Sequence, residues 1–162
     1  METEELLTQI ETAFPIMAMP PLEAIVAHDD KCPECRGLTK DLERYKDAPI
    51  NGDAIRLLHQ QLYHLSSPGL HWILPYYLRY CLTSEAIYNR FETEFLIYSF
   101  APLPQYYEDA VSRLSGIDLV QARCLWSFFD WCLSDPDWRS SYGQEISLAM
   151  SFLADNWDIS PK

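Results

Sequence analysis

Apolar residues recur along most of the chain at three- and four-residue intervals, the spacing that gathers them on one face of an α-helix. Leu6, Leu7, Ile10 and Phe14 form the first such stripe. Its helix should end before Pro15, because the residue preceding a proline is pushed out of the helical region. "PIMAMPPLEAIVAHDD" then mixes prolines with apolar residues and reads as an extended stretch pressed on the core, with a minor β-hairpin over residues 16–28. "RGLTKDLERYK" offers a short, weak helix and "DAPINGD" a turn. From Asp53, available as an N-cap, Ile55, Leu58, Leu62 and Leu65 share a helical face.

Ser67 followed by Pro68 marks the next helix start, "GLHWILPYYLRYCL", which Pro75 should kink or split for want of an N–H donor. Thr83-Ser84 opens another, with Ile87, Phe91, Phe95 and Tyr98 facing inward, and "APLPQ" ends it. Ser115 and Asp118 resemble a capping box for a helix that aligns Val120, Cys124, Phe128 and Trp131; it is apolar nearly all round and therefore central. Asp135-Pro136 opens the last helix, with Tyr142, Ile146, Ala149, Leu153 and Trp157 as its stripe. No alternating run is long enough to require a sheet, and no segment repeats. The pattern predicts an all-α fold, one domain over residues 1–162, with about six to seven helices.

Composition fits that picture: 162 residues at 48% hydrophobic and 14% aromatic suffice for one buried core. Charge narrows the partners. A formal charge of -12 repels phosphate backbones and anionic lipid alike, so neither nucleic acid nor a membrane is expected as a partner. "METEELLTQIETAF" has no basic region leading into an apolar one, and Arg79, Glu85 and Arg90 interrupt the most hydrophobic part short of the roughly 20 residues a membrane helix needs. A soluble, cytoplasmic protein is the expectation. Its five cysteines, odd in number and irregularly spaced, then point to free thiols or a metal rather than a disulfide framework.

The densest chemistry lies in "AHDDKCPECRG". Cys32 and Cys35 have the spacing of a zinc-ribbon knuckle, and His28 is placed to be a third ligand. A structural zinc takes four ligands, usually from two such pairs, and there is no second pair; Asp29, Asp30, His59, His64 and His71 are the residues that would complete the set. Cys81, Cys124 and Cys132 sit singly on apolar stripes, where cysteine behaves as a small buried hydrophobe. A redox reading is the second option, since a thiol at a helix N-terminus gains acidity and Pro33 suits that placement, although a thioredoxin-like motif would follow a strand in a βαβ unit. In the third reading Asp29 or Asp30 caps a short helix, His28 fixes the loop and the cysteines merely pack.

Catalytic signatures are missing: there is no Gly-rich phosphate loop, no His-Glu-x-x-His and no Gly-x-Ser-x-Gly. Glu92 and Glu94 are not at helical neighbour spacing and do not read as an acid/base pair, so no enzymatic activity is expected. Tyr106 and Tyr107, followed by Glu108 and Asp109, instead read as aromatic anchors rimmed by acid. Together with Glu92 and Glu94 they form the expected contact surface for a basic protein.

At "HDDKCPEC" and "LSSPGLHWILPYYLRYCL" the chain resembles an uncharacterised bacterial family known as a domain of unknown function. Its pattern is His-Asp followed closely by Cys-x-x-Cys, then a Ser/Thr-Pro-started helix ending in Leu-Pro-x-Tyr-Leu. His28, Asp29, Cys32 and Cys35 match the first part, and Ser67, Pro68, Leu74, Pro75, Tyr77 and Leu78 the second. The family implies no settled activity. Small acidic proteins of this kind resemble immunity proteins of bacterial toxin systems, and that analogy implies a non-enzymatic binding protein that occludes the active site of a cognate, basic toxin without a cofactor. The alternative is a small zinc-binding or thiol-dependent protein built on His28, Cys32 and Cys35.

Overall fold

The first stripe closes into α1 (Thr3–Ala13), which buries Leu6, Ile10 and Ala13 and stops at Phe14, just ahead of Pro15. The structure is a computed structural model describing residues 1–28 and 31–159, without the side chain of His59. Nine further helices follow among the described residues: α2 (Leu22–Ile25), α3 (Pro33–Leu42), α4 (Gly52–Leu58), α5 (Ser67–Cys81), α6 (Ser84–Asn89), α7 (Phe91–Phe100), α8 (Tyr107–Arg113), α9 (Leu119–Ser134) and α10 (Pro136–Trp157). Short 3-10 segments cover Glu43–Tyr45, His59–His64 and Pro104–Tyr106. The all-α expectation is met, with more and shorter helices than the pattern suggested.

The expected hairpin over residues 16–28 does not form. α2 occupies part of that stretch, and its β content is one isolated antiparallel bridge, Val26 to Leu65. Pro20 and Pro21 remove two adjacent N–H donors from any ladder, and the chain finds its partner far away in sequence instead.

Two helix starts are shifted by a residue or two. Asn51, not Asp53, caps α4, its side chain accepting from the Ala54 N–H at 3.2 Å. Ser66, not Ser67, caps α5 by accepting from the Gly69 N–H at 3.1 Å. α5 also runs through Pro75 as one helix rather than splitting. Trp72, Ile73, Leu74, Tyr77 and Leu78 are all buried around the proline, and their burial, worth about 1.5–3 kcal/mol each, outweighs one forgone helix hydrogen bond.

The segment after Thr83 departs most from expectation. Arg90 adopts the left-handed conformation, φ 66°, and divides the anticipated single helix into α6 and α7. For a side chain other than glycine this conformation costs about 1–2 kcal/mol. Its guanidinium offsets that by bonding Asp137 at 2.8 Å and lying 5.5 Å over the Trp138 ring. The break re-indexes α7: Phe91 is 60% exposed, whereas Leu96, Ile97 and Phe100 are buried.

α9 packs against both α1 and α10, the central position its apolar circumference implied. Its capping box is made by Asp118 and Gln121, one cap later than Ser115 and Asp118. Leu125, Phe128, Phe129 and Cys132 are buried there, while Val120 is exposed. Phe129 meets Phe100 and Phe128 edge-on, with ring centroids 5.6 and 5.8 Å apart. Cys81, Cys124 and Cys132 are buried as the sequence suggested, and burial pushes the thiols of Cys81 and Cys124 up to about 12. Among the described residues no helix is long and apolar enough to cross a membrane.

Candidate metal centre

The start of α3 is built by its own sequence. Pro33 takes the first helical position, where its fixed φ suits the helix and its missing N–H would have had no partner. Cys32 then becomes the N-cap, its Sγ accepting from the Cys35 N–H at 3.5 Å. Asp29 and Asp30, the expected caps, lie outside the described residues. A thiol in the capping position turns the first helical turn into a sulfur pair, with Cys32 half-buried and Cys35 buried. The Cys32 thiol also donates to Glu34 Oε2 at 3.4 Å.

The remaining nitrogens arrive through the isolated bridge. Ala27 N–H donates to the His64 carbonyl at 2.8 Å and Ser66 N–H to the Ile25 carbonyl at 2.7 Å, which lays residues 25–28 beside 64–66. The Ser66 hydroxyl adds a bond to the Ala24 carbonyl. From the other side the largely buried Arg113 guanidinium donates to the Leu62 and Ser99 carbonyls, both at 3.2 Å, and lies 5.8 Å from the Tyr63 ring centroid. That clamp fastens the 3-10 segment carrying His64 to α7. The His28 and His64 rings consequently meet edge to face, with centroids 6.3 Å apart.

One ligand atom from each of His28, Cys32, Cys35 and His64 lies within 4.8 Å of the other three. A zinc tetrahedron with bonds of about 2.0–2.3 Å has edges of about 3.3–3.8 Å. The set is thus at most about 1.5 Å wider than a loaded site needs, and His28 Nδ1 already stands 3.5 Å from Cys35 Sγ. His64 Nδ1 is buried with no hydrogen-bond partner. Such a nitrogen is costly to bury unsatisfied, and an ion between the two thiols would satisfy it. Burial pushes the Cys35 thiol up, with Cys32 and Glu34 acting in the same direction against the His28 backbone amide. A divalent cation reverses that balance, because a coordinated thiol loses its proton outright. Two thiols and two imidazoles are a soft, tetrahedral donor set of the kind zinc takes.

The sequence singled out three of the four residues of this cluster and left the fourth among five candidates. His64 is 29 residues from Cys35, and only the bridge between Val26 and Leu65 brings it in. His71 is engaged elsewhere, its Nε2 2.9 Å from Gln121 Nε2. The His59 side chain, like Asp29 and Asp30, lies outside what the structure describes.

The proposed protein-contact residues are not all exposed. Glu92 is only 3% exposed and cannot meet a partner: it sits in the first turn of α7, its Oε1 4.0 Å from the Arg56 guanidinium, while its backbone carbonyl accepts the Tyr77 hydroxyl at 2.8 Å. Tyr107 is half-buried, its ring edge-on to Phe152 and its hydroxyl accepting from Asn156. Glu94 is half-buried beside Tyr142. Tyr106, Glu108 and Asp109 remain exposed around the start of α8.

A groove of about 530 Å³ runs between α2 and α3 from Leu22 and Val26 past His28 and Cys35 to Lys40 and Glu43. Solvent therefore reaches the pair through the half-buried Cys32, while Cys35 stays buried beneath the groove. Compared with protein-family models, curated proteins and solved structures, the chain finds no match.

Proposed function

We propose that the chain is a non-enzymatic helical protein whose N-terminal half is fastened by a structural zinc ion on His28, Cys32, Cys35 and His64. The observation that carries this reading is the convergence of those four ligand atoms within 4.8 Å from two distant segments. All four positions are protein groups, which is the closed arrangement of a structural rather than a catalytic zinc. When bound, the ion would tie the start of α3 to the 3-10 segment before α5. The test is metal content by mass spectrometry of the native chain expressed with zinc supplied. Wild type and His71→Ala are expected to carry one zinc per chain, and Cys32→Ser and His64→Ala none after dialysis. Retention of zinc by both ligand variants would overturn the assignment.

A second reading has its own support in Tyr106, 57% exposed, with Glu108 and Asp109 exposed beside it. An aromatic anchor rimmed by carboxylates on a chain of charge -12 suits a basic protein, and an immunity protein that occludes a basic toxin would use such a face. Charge reversal at Glu108 and Asp109 should slow association with a co-purifying basic polypeptide at least tenfold at low salt and flatten its salt dependence. An unchanged association rate by surface plasmon resonance would remove this face from consideration.

A further inference from the structure

The five cysteines fall into two chemical groups. Cys81, Cys124 and Cys132 are buried singly on apolar helical faces, and burial pushes each thiol up. Cys32 and Cys35 share one helical turn. Cys32 is half-buried, and Cys35 lines the groove between α2 and α3. Cys32 is the one cysteine of the five that is not buried, and Cys35, itself only 1% exposed, lies within 4.8 Å of it.

We infer that Cys32 and Cys35 are a peroxide-sensitive modification site, oxidised together to a disulfide with release of the zinc they hold. The inference rests on the zinc reading for its consequence, though not for its chemistry. Cys32 is the attacking sulfur: it is the more exposed of the two, and the Cys35 N–H donates to it. It displaces hydroxide from the peroxide O–O bond and becomes a sulfenic acid. Cys35 then attacks that sulfur, the second hydroxide leaves, and the S–S bond forms. In balance, two thiolates and one hydrogen peroxide give one disulfide and two hydroxides, which take up two protons as water. Each sulfur has lost one electron, and the peroxide has accepted two.

Zinc cannot stay on the product. A disulfide offers no thiolate, and His28 and His64 alone make half a tetrahedron. Release would unfasten the start of α3 from the 3-10 segment, so that an oxidant is read out as loosening of the N-terminal half while α9 and α10 keep their packing. A thiol reductant restores both sulfurs and hence the site.

The experiment exposes the full, zinc-loaded chain to a small molar excess of hydrogen peroxide and follows three quantities: free thiols, zinc captured by a chromophoric chelator, and the disulfide map by peptide mass. The expected result is a fall from five thiols to three, stoichiometric zinc release, a Cys32–Cys35 linkage, and reversal by dithiothreitol with added zinc. Cys35→Ala is expected to stop at the sulfenic acid, trapped by dimedone at Cys32. Zinc-loaded protein that keeps all five thiols while free glutathione is consumed would overturn the modification site and leave the zinc reading intact. Loss of thiols at Cys81, Cys124 or Cys132 would overturn it equally. If the chain takes up no zinc, the zinc reading falls, and the thiol count and linkage of the metal-free protein decide the modification site alone.

Discussion

Stripping the zinc-loaded chain with a chelator is expected to lower its thermal midpoint by about 10 °C. The size follows from linkage: a ligand present at a thousandfold over its dissociation constant, binding only the folded state, contributes about 4 kcal/mol. For a domain of this length each kcal/mol moves the midpoint by about 2–4 °C. The loss is local. Hydrogen exchange is expected to accelerate in α2, α3 and the stretch from Leu62 to Ser66, because these are the segments that the four ligands would join. Amides of α9 and α10, which sit among Phe128, Phe129, Phe152 and Leu153, should keep their protection. Cys32→Ser, already without its metal, should melt at the same temperature with and without chelator. A wild-type midpoint that ignores the chelator, in protein verified to carry zinc, would mean that the ion is cargo and not part of the scaffold.

What made the helices legible was local. The stripes on α1 and α10, the proline after Phe14 and the Asp135-Pro136 start all act within a turn or two, and each is found close to where the pattern put it. The misread stretch was the one where local rules were outvoted. Nothing in "AIYNRFETEF" announces a left-handed residue, since Arg90 is held there by Asp137 and Trp138 from another helix. Phe91 and Tyr98, assigned inward on an unbroken helix, consequently face solvent. The same logic explains the site. Cys32, Cys35 and His28 were readable because their spacing is itself the knuckle. His64 joins the cluster only through a pairing across the fold, and its neighbours Leu62 and Leu65 looked like one more helical stripe. Glu92 was misplaced for a related reason: an acidic residue is expected outside, and only the packing of α4 and α5 around it shows it buried.

Gly69 ties that pairing to the core, and its replacement gives the second large effect. It lies in the first turn of α5, where alanine is ordinarily the better residue by about 1 kcal/mol. Here a Cβ would stand 2.9 Å from the Ile25 carbonyl carbon and nearer still to its oxygen. The obstacle is backbone, and it is the same carbonyl that accepts the Ser66 N–H, so it cannot swing aside as a flexible side chain would. Gly69→Ala is therefore expected to destabilise the chain by about 2–3 kcal/mol despite the gain in helix propensity. Because Ile25 leads directly into Val26 and His28, the displaced segment should carry His28 away from Cys35 and weaken zinc binding at least about tenfold, the scale on which supporting contacts act on a metal site. Gly37→Ala is the matched control. Gly37 lies within α3 with open space where its Cβ would go, so the same substitution there should raise stability by about 0.5–1 kcal/mol and leave zinc affinity unchanged. Urea titrations with competitive zinc measurements on both variants separate the effects. Equal stabilisation by the two alanines would show that α2 is not pressed against α5, and the bridge that delivers His64 to the cysteines would lose its foundation.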